Sequence, residues 1–221
     1  MDKQYLIQLL LMIPVVMLSL SVHESAHGYV SYKLGDPTAR NLGRITLNPL
    51  KHFDLVGFIC MIFFRVGWAK PVPVNARYYK DPRKGMALTA AAGPLSNLLL
   101  ALIGVFGGEI TNLVAFKLQL TGNAYNVGYV VWLFFYLLAW SNISLAIFNL
   151  IPVPPFDGSR ILYVFLPPKY YFGIMKYEQI IMIVVLALFV FDFFDAPLAF
   201  LTDAVYNGMV WLIDLIPIFR Y

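Results

Sequence analysis

Residues 5–34 read YLIQLLLMIPVVMLSLSVHESAHGYVSYKL, an apolar stretch with a cluster of ionisable residues in its second half. Its first 18 residues, 5–22, carry no charge, and a helix of this length is about what is needed to cross the hydrocarbon core of a bilayer. We expect the helix to continue to about Leu34, because Gly35-Asp36-Pro37 follows and is typical of a helix end. The stretch therefore predicts a transmembrane helix that carries polar side chains.

A cleavable signal peptide is the alternative interpretation of this stretch. Ser19 and Ser21 are small residues at the spacing of a cleavage site. However, Asp2 and Lys3 form only a weak positive region, and the helical pattern does not break after Ser21. We therefore favour a retained helix.

The remainder of the chain also has the composition of a membrane protein. Only 13% of the 221 residues are charged and the mean hydropathy is +0.73, whereas soluble domains carry about 25% charged residues. The charge-free runs 86–108 and 127–156 are long enough to span. Shorter apolar runs predict a re-entrant or half-membrane excursion at 55–64 and a span at 179–191, which either ends there or runs past Asp192 and Asp195. The run 205–218 predicts a crossing or interfacial helix.

This pattern predicts an all-α polytopic membrane protein. We expect one domain over residues 1–221, built as a bundle of about five or six transmembrane or half-membrane segments. Two short segments predict an additional membrane-associated β element. They are Arg44-Ile45-Thr46-Leu47 and residues 67–74, in which the residues before two prolines favour extended backbone.

The basic residues are concentrated in one part of the chain. Ten of the 16 Lys and Arg residues, but only three of the 12 acidic residues, lie between Lys33 and Lys84. Because Lys and Arg are enriched in cytosolic loops, we expect this segment in the cytosol and the N-terminus on the opposite side. Anionic lipid headgroups explain a basic surface between hydrophobic spans more simply than nucleic acid does.

The cluster in the first helix is His23-Glu24-Ser25-Ala26-His27. Residues four apart lie on one face of a helix, so His23 and His27 can present two imidazoles to one zinc ion. Glu24 lies beside the first ligand and can act as the base that activates a water molecule. With three His and three Glu in the chain, the pattern would arise by chance roughly once in 2,000 such sequences.

A catalytic zinc site usually needs a third protein ligand. The candidates are His52, Asp157 and the other acidic residues. Asp157 follows a charge-free run that is interrupted by prolines at 152, 154 and 155, which places a carboxylate on irregular backbone inside the bundle. Its alternative role is the N-cap of the following helix, and the residues alone do not decide between the two.

Two separated motifs resemble the site-2 protease family of intramembrane metalloproteases. One is the His-Glu-x-x-His run, and the other is Asn149-x-x-Pro152-x-x-x-x-Asp157-Gly158. The resemblance implies that His23, His27 and Asp157 bind one zinc ion and that Glu24 is the general base. It also implies that Asn149 holds the substrate backbone or the oxyanion, although its amide could instead satisfy the broken end of its own helix.

The resemblance extends over roughly residues 19–159. The stretches 47–52, 67–74 and 92–97 are similar to segments of small bacterial and archaeal members, and we expect a minimal member without a PDZ or CBS domain. His52 and Asn97 are possible accessory residues. The expected substrates are single-span membrane proteins, cleaved within or near their spans by a protein of the plasma membrane whose active site is nearer the cytosol. The oligomeric state stays open.

Two other functions compete with this interpretation. Relatives of the proteases that trim prenylated proteins share the His-Glu-x-x-His run but use a downstream Glu as third ligand, and only Glu109 and Glu178 are available here. A channel, transporter or scaffold could use the histidines for a structural or transported metal. The presence of Glu24 argues against such a protein, because a structural site needs no base.

Overall fold

The computed structural model describes residues 3–55, 57 and 69–219, and its regular elements in that part of the chain are all helical. In chain order they are α1 (Lys3–Lys33), α2 (Thr38–Asn41), α3 (Pro82–Lys117), α4 (Gly122–Asn149), α5 (Asp157–Leu162), α6 (Pro168–Met175), α7 (Glu178–Val190) and α8 (Asp195–Asp214). Short 3-10 turns occur at Pro49–Lys51, Ala76–Tyr78 and Pro217–Phe219.

Four of these helices, α1, α3, α4 and α8, are long and apolar enough to cross a membrane. The all-α class is therefore confirmed in the described residues, and the four apolar helices fit a membrane protein. Helix α7 is apolar but has only 13 residues, and it ends before Asp192. Because a separate helix starts at Asp195, the alternative in which this span runs past both aspartates is wrong. Most of the expected half-membrane excursion at 55–64 lies outside the described residues.

Helix α1 ends where the sequence predicts. Gly35 adopts φ +106°, a left-handed conformation that glycine tolerates, and the Asp36 N–H donates to the Ser31 carbonyl at 3.1 Å, closing the last turn. The fully buried Asp36 carboxylate then accepts hydrogen bonds from Ser31, Thr38 and the Asn75 N–H. Burial raises the pKa of this carboxyl, but the hydrogen bonds outweigh burial and hold the pKa below its usual value.

The predicted β element is not observed. Residues 45–47 form bends, and the described part of the second segment, 69–74, has no regular secondary structure. The part before residue 69 lies outside the described residues. The prediction is wrong in the described residues because a strand needs a ladder of backbone hydrogen bonds, and here the backbone groups bind elsewhere.

Side chains and a loop carbonyl hold residues 69–75, here called the loop segment, in place of a partner strand. The Lys70 N–H donates to the His52 carbonyl at 2.9 Å, and Arg44 donates to the Lys70 carbonyl at 2.7 Å. The Val72 N–H donates to a carboxylate oxygen of Glu24 at 2.7 Å. The prolines at 71 and 73 have no N–H to give. The segment is therefore fixed against α1 rather than built into a sheet.

The proline-rich break after α4 lies where the sequence predicts it. Helix α4 ends at Asn149, residues 150–156 are irregular, and α5 begins at Asp157. Gly158 lies tightly against the end of α4, because an added Cβ would come within 2.3 Å of the Leu150 carbonyl oxygen. The break thus folds α5 back onto the bundle.

Helices α1, α3 and α4 pack against one another, while α8 packs against α4. Gly104 of α3 contacts the backbone of α4, since an added Cβ would lie 2.8 Å from the Ala139 nitrogen and 2.9 Å from the Phe135 carbonyl oxygen. Small residues allow such close approach of helices in membranes, where van der Waals packing replaces the hydrophobic effect.

We predict that Gly104→Ala destabilises the bundle by about 1–3 kcal/mol through overpacking, although Gly→Ala in a helix otherwise stabilises by about 1 kcal/mol. Gly108→Ala is the matched control, because its added Cβ would be 3.8 Å from the nearest atom, an ordinary contact. The measurement is thermal unfolding in detergent micelles. Equal melting temperatures for the two variants would contradict the close helix contact.

Candidate metal centre

Three side-chain atoms from α1 and α5 meet at one point. The His23 Nε2 and His27 Nε2 atoms are 3.0 Å apart, and each lies 3.2 Å from Asp157 Oδ2. Ligands about 2.1 Å from a tetrahedral zinc ion are separated by about 3.4 Å, so this spacing fits a metal site. It is the one group of three or more potential ligands found in the described residues.

The hydrogen bond made by Nδ1 of each imidazole determines its tautomer. It therefore also determines whether Nε2, which faces the cluster, carries a lone pair. His23 Nδ1 lies 2.6 Å from Asn97 Oδ1, and His27 Nδ1 lies 2.7 Å from the Thr89 carbonyl oxygen. Both partners can only accept, so each Nδ1 carries the proton. Each Nε2 is then unprotonated, which is the form that binds metal.

The third ligand atom belongs to Asp157, the first residue of α5. An aspartate carboxyl is ordinarily ionised at neutral pH, so this group offers a negatively charged oxygen to the cluster. Its Oδ2 atom is buried and accepts no hydrogen bond from the described residues. Two lone pairs and a carboxylate oxygen in contact, without a proton between them, fit a divalent cation.

The alternative role of Asp157 as a helix cap is not observed. The N-cap of α5 is Phe156, and no side chain caps that end of the helix by a hydrogen bond. Neither Glu109 nor Glu178, the third ligands that another zinc protease would need, joins the cluster. The structure thus brings together the two histidines of the first motif and the aspartate of the second.

Helix α3 closes one side of the cluster with its backbone. An added Cβ on Gly93 would lie 2.5 Å from His27 Nε2 and 2.6 Å from His23 Cε1. In the structure, the missing side chain leaves the space that the two imidazoles occupy.

Glu24 lies between His23 and His27 in the sequence. Its side chain is oriented by the loop segment 69–75. One of its carboxylate oxygens accepts the Val72 N–H at 2.7 Å. Because the segment is itself fixed by Arg44 and by the His52 carbonyl, the orientation of Glu24 depends on several loop contacts.

His52 lies outside the ligand cluster. It is 3% exposed, and its Nε2 is 2.8 Å from the Thr46 carbonyl oxygen and 3.5 Å from the Ser25 hydroxyl. The Ser25 hydroxyl also donates to the Thr46 carbonyl. These contacts join the loop to α1 next to Glu24, and an accessory role of His52 in the chemistry stays a prediction.

Asn149 is the last residue of α4, at the start of the break. Its side-chain amide donates to the Leu145 carbonyl at 2.9 Å, one turn back in the same helix. This contact matches the alternative role given for Asn149 above, in which its amide hydrogen-bonds to the backbone at the end of its own helix. A role in holding the substrate stays a prediction.

Sequence reasoning missed three residues around His23 and His27. They are Ser19, Thr89 and Asn142, all buried. The signal for Asn142 was present, because a polar amide in the middle of a 30-residue charge-free run needs a partner. Thr89 acts through its backbone carbonyl, which no sequence pattern reveals.

Comparison with known proteins gives one family. The profile of peptidase family M50 matches residues 11–191. "Putative zinc metalloprotease YwhC" of Bacillus subtilis is 42% identical over 175 residues, which cover 79% of this chain and 78% of the relative. "Putative zinc metalloprotease Rip2" of Mycobacterium tuberculosis is 26% identical over 205 residues, covering 90% and 71%.

No solved structure gives a significant match to the chain. The family match nevertheless covers most of the sequence, including both histidines on α1 and Asp157 after the break. The resemblance noted from the two motifs is therefore confirmed, and the chain belongs to peptidase family M50, as a zinc-dependent metalloendopeptidase.

Proposed function

We propose that this protein is an intramembrane protease that hydrolyses peptide bonds within or near the transmembrane segments of single-span membrane proteins. His23, His27 and Asp157 hold one zinc ion in this proposal, and Glu24 is the general base. The observation that carries the proposal is the position of the cluster, because two of the three ligands lie on α1, a helix long and apolar enough to cross a bilayer.

The depth of the cluster supports an active site near one face of the membrane. His23 follows Lys3, the first residue of α1, by 20 residues, which is about 30 Å along a helix and close to the thickness of the hydrocarbon core. The basic segment from Lys33 to Lys84 begins at the same end of α1. We place this end in the cytosol and the protein in the plasma membrane.

The irregular residues 150–156 give water a route to the site. They follow the end of α4 and lead directly into Asp157. Backbone groups without helical partners are tolerated at membrane depth where they line protein or a water-filled cavity. In this proposal the break supplies the third ligand and also lines the cavity that holds the water consumed in peptide hydrolysis.

The chemistry divides between the bound metal and the side chains. Zinc at this position supplies a Lewis acid that lowers the pKa of water toward about 7 and polarises the substrate carbonyl. The Glu24 carboxylate accepts the proton of the attacking water and returns it to the leaving amine. The Val72 N–H keeps this carboxylate oriented. Asn149 can donate to the substrate only after its amide leaves the Leu145 carbonyl.

A substrate helix must unwind before its peptide bonds can be attacked, because its carbonyl groups are already hydrogen-bonded within the helix. Residues that lower helix propensity, such as Gly, Asn and Pro, ease this unwinding. We therefore expect cleavage near the cytosolic end of the substrate span, close to such residues.

We predict that Glu24→Gln keeps the zinc ion but lowers cleavage of a co-expressed single-span substrate by about 10²–10⁴-fold, the usual effect of losing a general base. Substrate accumulation and zinc content are measured on the same preparations. Glu178→Gln, a change at the start of α7 outside the cluster, is the control and is expected to cleave normally. Full cleavage by Glu24→Gln would refute the assigned base.

We predict that Asp157→Ala loses the zinc ion, because two neutral imidazoles without a carboxylate bind a divalent cation weakly. Metal analysis of the protein, purified in detergent, measures the zinc-to-protein ratio. Asp195→Ala removes an exposed carboxylate from the start of α8 and is expected to keep one zinc ion per chain. If Asp157→Ala also keeps one zinc ion, the third ligand lies elsewhere.

We predict that Lys80→Cys, in a Cys60→Ser background, reacts with a membrane-impermeant thiol reagent only after the cells are opened. Lys80 is exposed and precedes α3, within the basic segment. Lys117→Cys, at the other end of the same helix, is expected to react in intact cells. The reverse labelling pattern would place the basic segment and the active site on the external side.

A further inference from the structure

Three buried polar side chains link His23 to the interior of the bundle. Asn97 of α3 accepts from His23 Nδ1 at 2.6 Å and donates to Asn142 Oδ1 of α4, also at 2.6 Å. Asn142 in turn donates to the Ser19 hydroxyl oxygen on α1 at 2.8 Å. Both asparagines are fully buried and Ser19 is nearly so. The chain of hydrogen bonds thus begins and ends on α1.

Groups of fixed polarity orient the amide of Asn142. Its nitrogen lies 2.7 Å from the Leu138 carbonyl oxygen, which can only accept. The same nitrogen contacts the Ser19 hydroxyl oxygen, whose own proton goes to the Val15 carbonyl at 2.7 Å. A flipped amide would place its oxygen against two oxygen atoms with no proton between them. The Asn142 oxygen must therefore point toward Asn97.

The same argument then applies to Asn97. Its nitrogen faces the Asn142 oxygen and also the Ser19 carbonyl oxygen at 3.3 Å, so this end of the amide must donate. The oxygen of Asn97 is left facing His23 Nδ1. The proton of His23 is thus assigned to Nδ1 by backbone carbonyls on α1 and α4 that never touch the imidazole.

We propose that Asn97 and Asn142 are positioning residues, which hold His23 in the tautomer and ring orientation that direct its Nε2 lone pair at the metal. This inference rests on the proposed zinc site. His27 needs no such relay because the Thr89 backbone carbonyl binds its Nδ1 directly. The two ligands therefore differ, since the orientation of His23 depends on replaceable side chains and that of His27 depends on the backbone.

The hydrogen-bond relay also joins three helices, α1, α3 and α4. Asn97 and Asn142 connect α3 to α4, and both connect to Ser19, one turn before His23. A single polar side chain that bonds across helices inside a membrane adds only modestly to stability, so we expect its loss alone to leave the bundle folded. A change in metal binding can thus be separated from a change in fold.

The test is the affinity of the full-length protein in detergent micelles for Co²⁺, followed by the visible absorption of the bound ion. We expect Asn97→Leu to lower the affinity by about 10–100-fold, the usual effect of losing the partner of a ligating histidine. Asn142→Leu is expected to lower it less, because Asn97 then keeps its contact with His23 but loses its fixed orientation. Ser141→Ala, next to Asn142 and bonded only toward Met12, is the control.

Two further variants separate positioning from packing. Asn97→Asp keeps an acceptor facing His23 Nδ1 but sets its second oxygen against the Asn142 oxygen, so we expect it to recover part of the affinity that Asn97→Leu loses. The double variant Asn97→Leu with Asn142→Leu is expected to bind Co²⁺ no more weakly than Asn97→Leu alone, since both changes interrupt one path. Additive losses, or equal losses in Asn97→Asp and Asn97→Leu, would mean that the asparagines only fill space.

The same titration distinguishes failure of the relay from failure of the site. Wild-type affinity in Asn97→Leu, together with loss of Co²⁺ in Asp157→Ala, would overturn the relay and leave the zinc site standing. A wild-type protein whose Co²⁺ binding does not depend on Asp157 would overturn both. Circular dichroism of each metal-free variant confirms that the helices are intact before the affinities are compared.

Discussion

Three acceptor atoms held in mutual contact, two imidazole nitrogens and a carboxylate oxygen, are the arrangement on which the rest of this structure depends. Without a cation the group is repulsive, because all three atoms present lone pairs to one another. The fold must therefore supply partners on the outer side of each ligand. Thr89 and Asn97 of α3 do so, which explains why this helix packs so closely against α1.

Close packing in turn limits which residues α3 can carry. Gly93 leaves room for the imidazoles, and Gly104 lets the backbone of α3 touch that of α4. The loop segment 69–75 holds Glu24 through a backbone N–H rather than a side chain. The proposed ligands and the proposed base are thus positioned by different elements, a helix and a loop.

The sequence predicted the elements that depend on local pattern. It gave the limits of α1, the long apolar helices and the break before Asp157, because charge-free length, glycine and proline act through neighbouring residues. It also identified both histidines from their spacing, but left Asp157 open until the resemblance to a family was considered. The contact between α1 and α5 that brings the three together is a property of the fold.

The misses have a common physical cause. The β element was expected from proline and β-branched residues, yet whether an extended segment pairs depends on what lies beside it, and here Arg44 and Glu24 take its backbone groups. Asn142 was overlooked because its partners come from two other helices. Long-range hydrogen bonds of single polar residues leave no periodic signal along the chain.

The division of the ligands between α1 and the break after α4 has a consequence for how the enzyme is made. His27 and Asp157 are about 130 residues apart in the sequence, so an ion that binds both would close a long loop of chain. Bringing the ends of such a loop together costs conformational entropy, and folding of the bundle has already brought them together. During synthesis, α1 is made long before Asp157 leaves the ribosome. The proposed zinc site, which needs both residues, therefore cannot be completed until the chain has been synthesised as far as residue 157.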